Sequence, residues 1–191
     1  MNGHKIINQN SIHFITCTVV GWVDVFTRQI YRDVIIDSLK HCKQNKGLKI
    51  YAYVVMSNHL HLIVSTNEDH NLSDTLRDFK TFTSKQIIKT ILENNSESRQ
   101  EWMVRLFKYH AKFNSNNSKF QFWKKDNRPI ELESPKWIST KINYIHNNPV
   151  NAGLVEKPEH YLYSSASNYV NSKGLIDVEV VDLGFDIGYV S

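Results

Sequence analysis

Two histidines separated by one residue are the side chains whose types and spacing most directly offer chemistry. His59 and His61 lie in the segment HLHLIVS, which predicts a β-strand over residues 59–65. Because side chains alternate across a strand, both imidazoles point to one face and the intervening leucines to the other. Two imidazoles on one side of a strand can bind one cation. The alternative is a polar sheet face where one histidine packs and the other contacts water.

A second candidate pair lies on a predicted helix near residues 134–148. Tyr144 and Asn148 are four residues apart and therefore share one helix face. The phenol is a possible nucleophile and the amide oxygen a possible neutral metal ligand. Ser134 is the expected N-cap, and Pro149 is expected to end the helix because it disfavours helical backbone in the residue before it.

Both residues of this helix pair also have structural explanations. Tyr144 lies beside an apolar stripe at helical spacing and could belong to the core. Asn148 could simply be a helix-end residue before proline. His146 is two positions from Tyr144, off its face, and is expected to be exposed rather than catalytic. The stripe consists of Ile138, Ile142 and Ile145.

Positive charge is concentrated in one window. Residues 77–128 hold twelve Lys or Arg against five Asp or Glu, which gives a net charge of +7 in a chain whose total is +4. Aromatic residues interleave with these cations, a pattern typical of surfaces that bind nucleic acid. A solvated helix face over core aromatics is the alternative. Lys124, Lys125 and Arg128, on a predicted turn just before the Tyr144 helix, are the best candidates for contacts with DNA.

Composition excludes several classes of protein. The 191 residues include 41% hydrophobic and 22% charged residues, which indicates a globular chain with a core. No apolar run approaches the roughly 20 residues of a membrane span, and no secretory signal is recognisable. Cys17 and Cys42 form no CxxC motif, so we expect a cytoplasmic protein without a disulfide scaffold. We predict one domain over residues 1–172 and an acidic tail over 173–191.

The order of predicted elements defines the fold class. Strands are predicted over residues 12–20, 48–56 and 59–65, and a strand, turn and short strand over 119–134. Helices are predicted over 29–46, from residues 71–73 to about Leu92 and over 98–110, besides the Tyr144 helix, and Ser73 is the candidate N-cap of the second of these. We expect an α+β fold: an antiparallel sheet of ferredoxin-like (split βαβ) plan with helices on one face.

Three motifs in this order resemble a known family. Residues 53–62 (YVVMSNHLHL) resemble the HUH (His-hydrophobic-His) motif of single-tyrosine transposases. Residues 144–155 (YIHNNPVNAGLV) resemble the Tyr-Ile-x-x-Asn-Pro-Val-x-Ala-Gly-Leu-Val signature of the REP-associated tyrosine transposases. Residues 161–166 (YLYSSA) resemble the aromatic-Ser-Ser segment that follows it. The resemblance extends over roughly residues 11–170 and implies a fold of the HUH endonuclease type.

The resemblance also implies roles for individual residues. His59, His61 and Asn148 match the three ligands of a divalent metal, and Tyr144 matches the nucleophile. Asn151 stands where the family commonly has Arg or Lys, so one phosphate contact is expected to be missing. Imidazole ligands suit Mn²⁺ better than Mg²⁺, whereas the greater abundance of Mg²⁺ in cells favours Mg²⁺.

The expected reaction is metal-dependent nicking and strand transfer on single-stranded or hairpin DNA through a 5′-phosphotyrosine, by a monomer or a homodimer. Two alternatives stay open at this point. One is a metal-dependent phosphodiesterase that uses a bound water. The other is a non-catalytic DNA-binding protein derived from a transposase. We also consider that the acidic tail could compete with DNA for the basic surface.

Overall fold

One antiparallel sheet organises the chain. The computed structural model describes residues 5–113, 119–170 and 172–181. Its strands follow the order β2-β3-β1-β4 and comprise β1 (His13–Thr18), β2 (Leu48–Val55), β3 (His59–Thr66) and β4 (Ile130–Glu131). β1 and β2 both run antiparallel to β3, which separates them. This split βαβ arrangement confirms the predicted α+β, ferredoxin-like class.

Four α-helices accompany the sheet, and each corresponds to a predicted one. They are α1 (Gln29–Asn45), α2 (Leu72–Glu93), α3 (Gln100–Ala111) and α4 (Pro135–Asn151). Within the described ranges, none is long and apolar enough to cross a bilayer. α4 continues past the predicted end because Pro149 lies in its last turn, is buried, and removes only one backbone donor.

Helices cover both faces of the sheet, which corrects the prediction that they lie on one face. α1, α2 and α3 share a hydrophobic cluster with Leu60 and Leu62, whereas α4 packs on the opposite face. Ala52, Val54 and Ile63 make that second face apolar, and the isoleucine stripe of α4 covers it. The sheet is therefore buried on both sides around β2 and β3.

Smaller differences concern helix caps and the segment before α4. Asn71, not Ser73, caps α2, because its Oδ1 accepts from the Asp74 amide at 3.1 Å. Ser134 caps α4 as predicted. The first strand predicted within residues 119–134 is reduced to a bridge between Val19 and Trp123. The second corresponds to the two-residue β4.

The acidic tail packs against the domain over its described part, residues 173–181. Ile176 is buried in the main hydrophobic cluster, and the Glu179 amide donates to the Ile50 carbonyl of β2 at 2.8 Å. Lys43 forms an ion pair with Glu179 at 3.4 Å. This part of the tail therefore covers the exposed edge of β2. The other edge of the sheet is formed by β4, next to β1.

A buried carboxylate holds the connection between α2 and α3 against α1. Glu97 contacts Arg28 Nε and Arg99 Nε, each at 2.9 Å, and accepts a hydrogen bond from the Tyr31 hydroxyl at 3.0 Å. The Glu97 side chain is fully buried. Its hydrogen bond from Arg99 is the main cause that lowers the pKa of Glu97 from 4.5 to about 2.

We expect Glu97→Gln to lower the free energy of unfolding by about 2–3 kcal/mol at pH 7, because two guanidinium groups lose their carboxylate. The folded state favours the ionised carboxyl, so this contribution is present above pH 4.5 and is lost as the pH falls toward 2. Urea unfolding should show that the difference in free energy of unfolding between wild type and Glu97→Gln is smaller at pH 3 than at pH 7. Glu93→Gln, in an exposed pair with Lys89, is the control and should cost below about 0.5 kcal/mol. Equal losses in both variants would contradict the prediction.

Candidate active site

The histidine pair lies at the start of β3, where a tight turn leads in from β2. His59 and His61 are the first and third residues of the strand, and their ring centroids are 4.7 Å apart on the α4 face. Backbone bonds fix the turn from outside: the Val19 amide donates to Asn58 and the Phe26 amide to Ser57, both at 2.9 Å. The predicted common face of the two imidazoles is therefore observed.

Each imidazole is oriented through its Nδ1 atom. His61 Nδ1 lies 2.9 Å from Thr16 Oγ1, and His59 Nδ1 lies 2.8 Å from Asn58 Oδ1. Asn58 Oδ1 can only accept, so His59 Nδ1 donates and its Nε2 keeps a lone pair. The Thr16 hydroxyl can accept from His61 Nδ1, which is the tautomer that metal-binding histidines use. His61 Nε2 is buried and has no hydrogen-bond partner within the described residues.

Burial keeps both imidazoles neutral. It is the main cause that lowers the pKa of His61 from 6.5 to about 3, with added contributions from His59 and Lys141. Burial also lowers the pKa of His59. Neutral imidazole is the form that binds metal ions.

Tyr144 approaches the histidines from α4. Its ring centroid lies 5.3 Å from that of His61 and 6.0 Å from that of Phe14. Tyr144 is 46% exposed, which excludes the alternative that it is a core residue. Lys141, one turn earlier, places its ammonium 5.4 Å from the Tyr144 ring centroid and 4.7 Å from that of Phe14. Lys141 was not predicted from the sequence, although its spacing of three residues from Tyr144 places both on one helix face.

His146 anchors α4 and is not exposed, contrary to the prediction. It is fully buried, and its Nε2 lies 2.9 Å from Ser165 Oγ, which also accepts the Tyr53 amide of β2 at 2.9 Å. Tyr161 donates to the Val55 carbonyl at 2.8 Å. The aromatic-Ser-Ser segment thus fastens α4 to the sheet, which explains why a polar residue is buried two positions from Tyr144.

Asn148 lies one helical turn beyond Tyr144. Its amide nitrogen donates to the Tyr144 carbonyl at 3.1 Å, and the residue is half-buried. No hydrogen bond among the described residues joins it to either histidine. These residues also contain no group of three or more His, Cys, Asp or Glu side chains that could hold a metal. Tyr144 and the histidines are therefore brought together, whereas the ligand role of Asn148 stays a prediction.

Trp22, which was not predicted from the sequence, lies between the basic turn and the histidine pair. The Lys124 ammonium lies 4.0 Å from the Trp22 ring centroid, and Trp22 lies 6.4 Å from His59 between ring centroids. Trp22 is 57% exposed and has a φ of 57°, a rare conformation for a bulky residue. Lys125 and Arg128 are also exposed. No spacing rule in the sequence points to Trp22.

Comparison with known families identifies the chain. Residues 7–118, more than half of it, match the family described as IS200-like transposases. The chain belongs to the IS200-like transposase family. The match includes β3 with both histidines and stops before α4. Because transposases of this family act on DNA, it confirms the predicted class of protein and its DNA partner.

One solved structure shares the fold of this chain, and a second shows a weaker similarity. A REP-associated tyrosine transposase bound to a REP hairpin has a TM-score of 0.59 and 19% sequence identity, over 98% of this chain and 96% of that chain. A crystal structure assigned as a transposase from Deinococcus radiodurans R1 has a TM-score of 0.43 and 13% identity, over 77% and 97% of the two chains. No curated protein sequence matches this chain.

Proposed function

We propose that this protein nicks and rejoins single-stranded DNA through a covalent 5′-phosphotyrosine on Tyr144, with a divalent metal held by His59 and His61. The contact between the Tyr144 and His61 rings, 5.3 Å apart in one chain, carries the proposal. This contact places the half-exposed phenol of Tyr144 next to the buried imidazole of His61, whose Nε2 has no hydrogen-bond partner among the described residues. Metal-dependent nicking by a tyrosine needs a nucleophile close to a nitrogen atom that can bind the metal, and neighbouring elements supply both here.

The residues present fit a metal ion such as Mg²⁺ or Mn²⁺. Two neutral imidazoles, each oriented through Nδ1, supply ligand atoms, and Asn148 is the proposed third ligand. When bound, a divalent cation polarises a phosphate oxygen and offsets the charge that develops in the transition state. Neutral ligands leave the full charge of the cation available for this purpose.

The protein residues then act as follows. The Tyr144 oxygen forms a bond to the scissile phosphorus as the bond to the 3′ oxygen breaks. The phenolic proton is lost during attack, and the departing 3′ oxygen ends as a hydroxyl. Lys141, beside the Tyr144 ring, stabilises negative charge on the phenolic oxygen. The phosphotyrosine retains the phosphodiester energy, so a later 3′-hydroxyl can rejoin strands without a nucleotide cofactor.

Two observations support a hairpin substrate and a complete site in one chain. The motifs in residues 144–166 resemble those of the REP-associated branch, and the structure of such a transposase bound to a hairpin shares this fold. Tyr144 meets His61 within a single chain, so the pairing of nucleophile and histidines needs no second subunit. We therefore propose a monomer that acts on hairpin DNA, with Lys124, Lys125 and Arg128 as DNA contacts.

The test is covalent trapping. The full chain is incubated with labelled single-stranded hairpins from the DNA that flanks its gene, with Mn²⁺, with Mg²⁺ or with a chelator. We expect a denaturation-resistant protein–DNA adduct that requires metal and maps to the tryptic peptide containing Tyr144. Cleavage without an adduct would instead indicate hydrolysis by water. An adduct on another peptide would reject Tyr144 as the nucleophile.

We expect Lys141→Met to slow adduct formation by about tenfold to a hundredfold, because the substitution removes the cation beside the phenol and keeps a chain of similar length. The measurement is the single-turnover rate at saturating hairpin. Lys136→Met, exposed on the same helix, is the control and should keep the wild-type rate. Equal rates for the two variants would mean that Lys141 only packs against Phe14.

A further inference from the structure

A large groove runs along α2, outside the histidine site. It has a volume of about 830 Å³ and lies between one face of α2 and the segment 119–127. Residues 73–92 of α2 extend about 28 Å at 1.5 Å per residue. The groove is therefore long enough to hold several nucleotides, and neither Tyr144 nor either histidine lines it.

The lining of the groove is strongly positive. Seven Lys or Arg line it against one acidic residue, Glu93: Arg77, Lys80, Lys85, Lys89, Lys119, Lys124 and Lys125. Lys80 is occupied within the fold, because it donates to the Lys124 carbonyl at 2.8 Å. Lys85, Lys119 and Lys125 form no ion pair within the described ranges. These cations are available to phosphates.

Apolar side chains also line the groove. Phe120 is half-buried there, and Leu92 is 48% exposed. The ammonium groups of Lys119 and Lys108 lie 5.6 and 5.8 Å from the Phe120 ring centroid. A duplex hides its bases and offers only phosphates to such a surface, whereas a single strand offers both phosphates and base faces. A lining that combines cations with apolar and aromatic side chains therefore fits a single strand better than a duplex stem.

α2, which forms one wall of the groove, packs on the opposite face of the sheet from the histidine pair, and Lys124 and Trp22 connect the two sites at the edge of the sheet. Lys124 lines the groove and contacts Trp22, which is exposed and lies next to His59. A DNA strand that leaves the histidine site over Trp22 therefore reaches the groove at Lys124. Among the residues that line the groove, Glu93 is the one acidic residue.

We propose that this groove binds the single-stranded DNA next to the cleavage point, with phosphates on the α2 lysines and bases on Phe120 and Leu92. A site size of about four to eight nucleotides follows from its length. The proposal rests on the proposed function in one respect, namely that the bound strand is the one that is cleaved.

The test compares hairpins with and without a single-stranded tail. Labelled DNA is either a blunt hairpin or the same hairpin with a tail of about eight nucleotides on its 5′ or 3′ side. Binding is measured by fluorescence anisotropy over a range of salt concentrations. The groove variant is Lys85→Gln with Lys89→Gln. The control is Lys40→Gln with Lys157→Gln, which makes the same charge change at exposed positions outside the groove.

We expect the groove variant to lose about fivefold to tenfold in affinity for one tailed hairpin and to keep its affinity for the blunt one. The slope of log affinity against log salt should become shallower by about 1.4, since each phosphate contact on a single strand contributes about 0.7. Phe120→Leu, which keeps an apolar side chain, should weaken tail binding about tenfold without changing that slope. The control should bind as wild type does.

Three outcomes would overturn the proposal: equal losses on blunt and tailed hairpins, equal losses in the groove and control variants, or no loss in either. Adduct formation is measured on the same samples, which separates the two proposals. Absence of any adduct, with tail binding still sensitive to the groove variant, would reject the tyrosine chemistry and keep the groove. A normal adduct with unaffected tail binding would reject the groove alone.

Discussion

Replacing Tyr144 with phenylalanine is expected to abolish the covalent adduct and to lower cleavage of a labelled hairpin by more than about a thousandfold. The substitution removes one oxygen atom and keeps the ring that contacts His61 and Phe14. Because Tyr144 is half exposed, loss of its hydroxyl should change the free energy of unfolding by less than about 0.5 kcal/mol. A loss of activity without a loss of stability therefore isolates the chemical role.

Tyr109→Phe provides the matched control. Tyr109 lies on α3, is 56% exposed and contacts the Phe113 ring at 5.1 Å between centroids, so it also loses only a surface hydroxyl. Its adduct yield should equal that of wild type. Metal-dependent cleavage that survives Tyr144→Phe would transfer the reaction to a water nucleophile and make the protein a phosphodiesterase.

Replacing His61 with glutamine is expected to weaken Mn²⁺ binding by more than about a hundredfold and to lower cleavage about a thousandfold. Glutamine has a similar length, but it lacks the second ring nitrogen. It therefore cannot contact Thr16 and also offer a nitrogen ligand to the metal. Titration calorimetry with Mn²⁺ alone measures the first effect without any DNA. The cleavage assay with hairpin DNA measures the second.

His41→Gln is the control for His61. It removes an exposed imidazole from α1 and should leave both metal affinity and cleavage unchanged. Far-ultraviolet circular dichroism and thermal unfolding of His61→Gln establish that the buried position still folds. Metal affinity equal to that of wild type would reject His61 as a ligand, whatever happens to cleavage.

The sequence predicted those parts of the fold that depend on local periodicity. Strict alternation placed His59 and His61 on one face, and the isoleucine stripe placed Tyr144 on a helix. The spread of cations over residues 77–128 also anticipated a basic surface. Each of these patterns needs only the neighbours of a residue along the chain, which is the information a sequence gives directly.

Features that depend on distant parts of the chain could not be predicted in this way. His146 is buried because Ser165 reaches it, and the two residues are 19 positions apart. α4 covers the second sheet face because β2 and β3 are apolar on both sides, which alternation in β3 alone does not show. Trp22 lies beside His59 only because the end of β1 is bonded to the turn before β3.

The bonds from Ser165 to β2 and to His146 have a consequence for the activity of an incomplete chain. A nascent chain that has emerged from the ribosome as far as α4 already carries Tyr144 and both histidines. It carries the isoleucines that pack α4 on the sheet, but not yet Ser165, which bonds His146 of α4 and Tyr53 of β2. We therefore expect a chain truncated before Ser165 to form the covalent adduct more slowly than the full chain, since α4 then lacks this bond to β2.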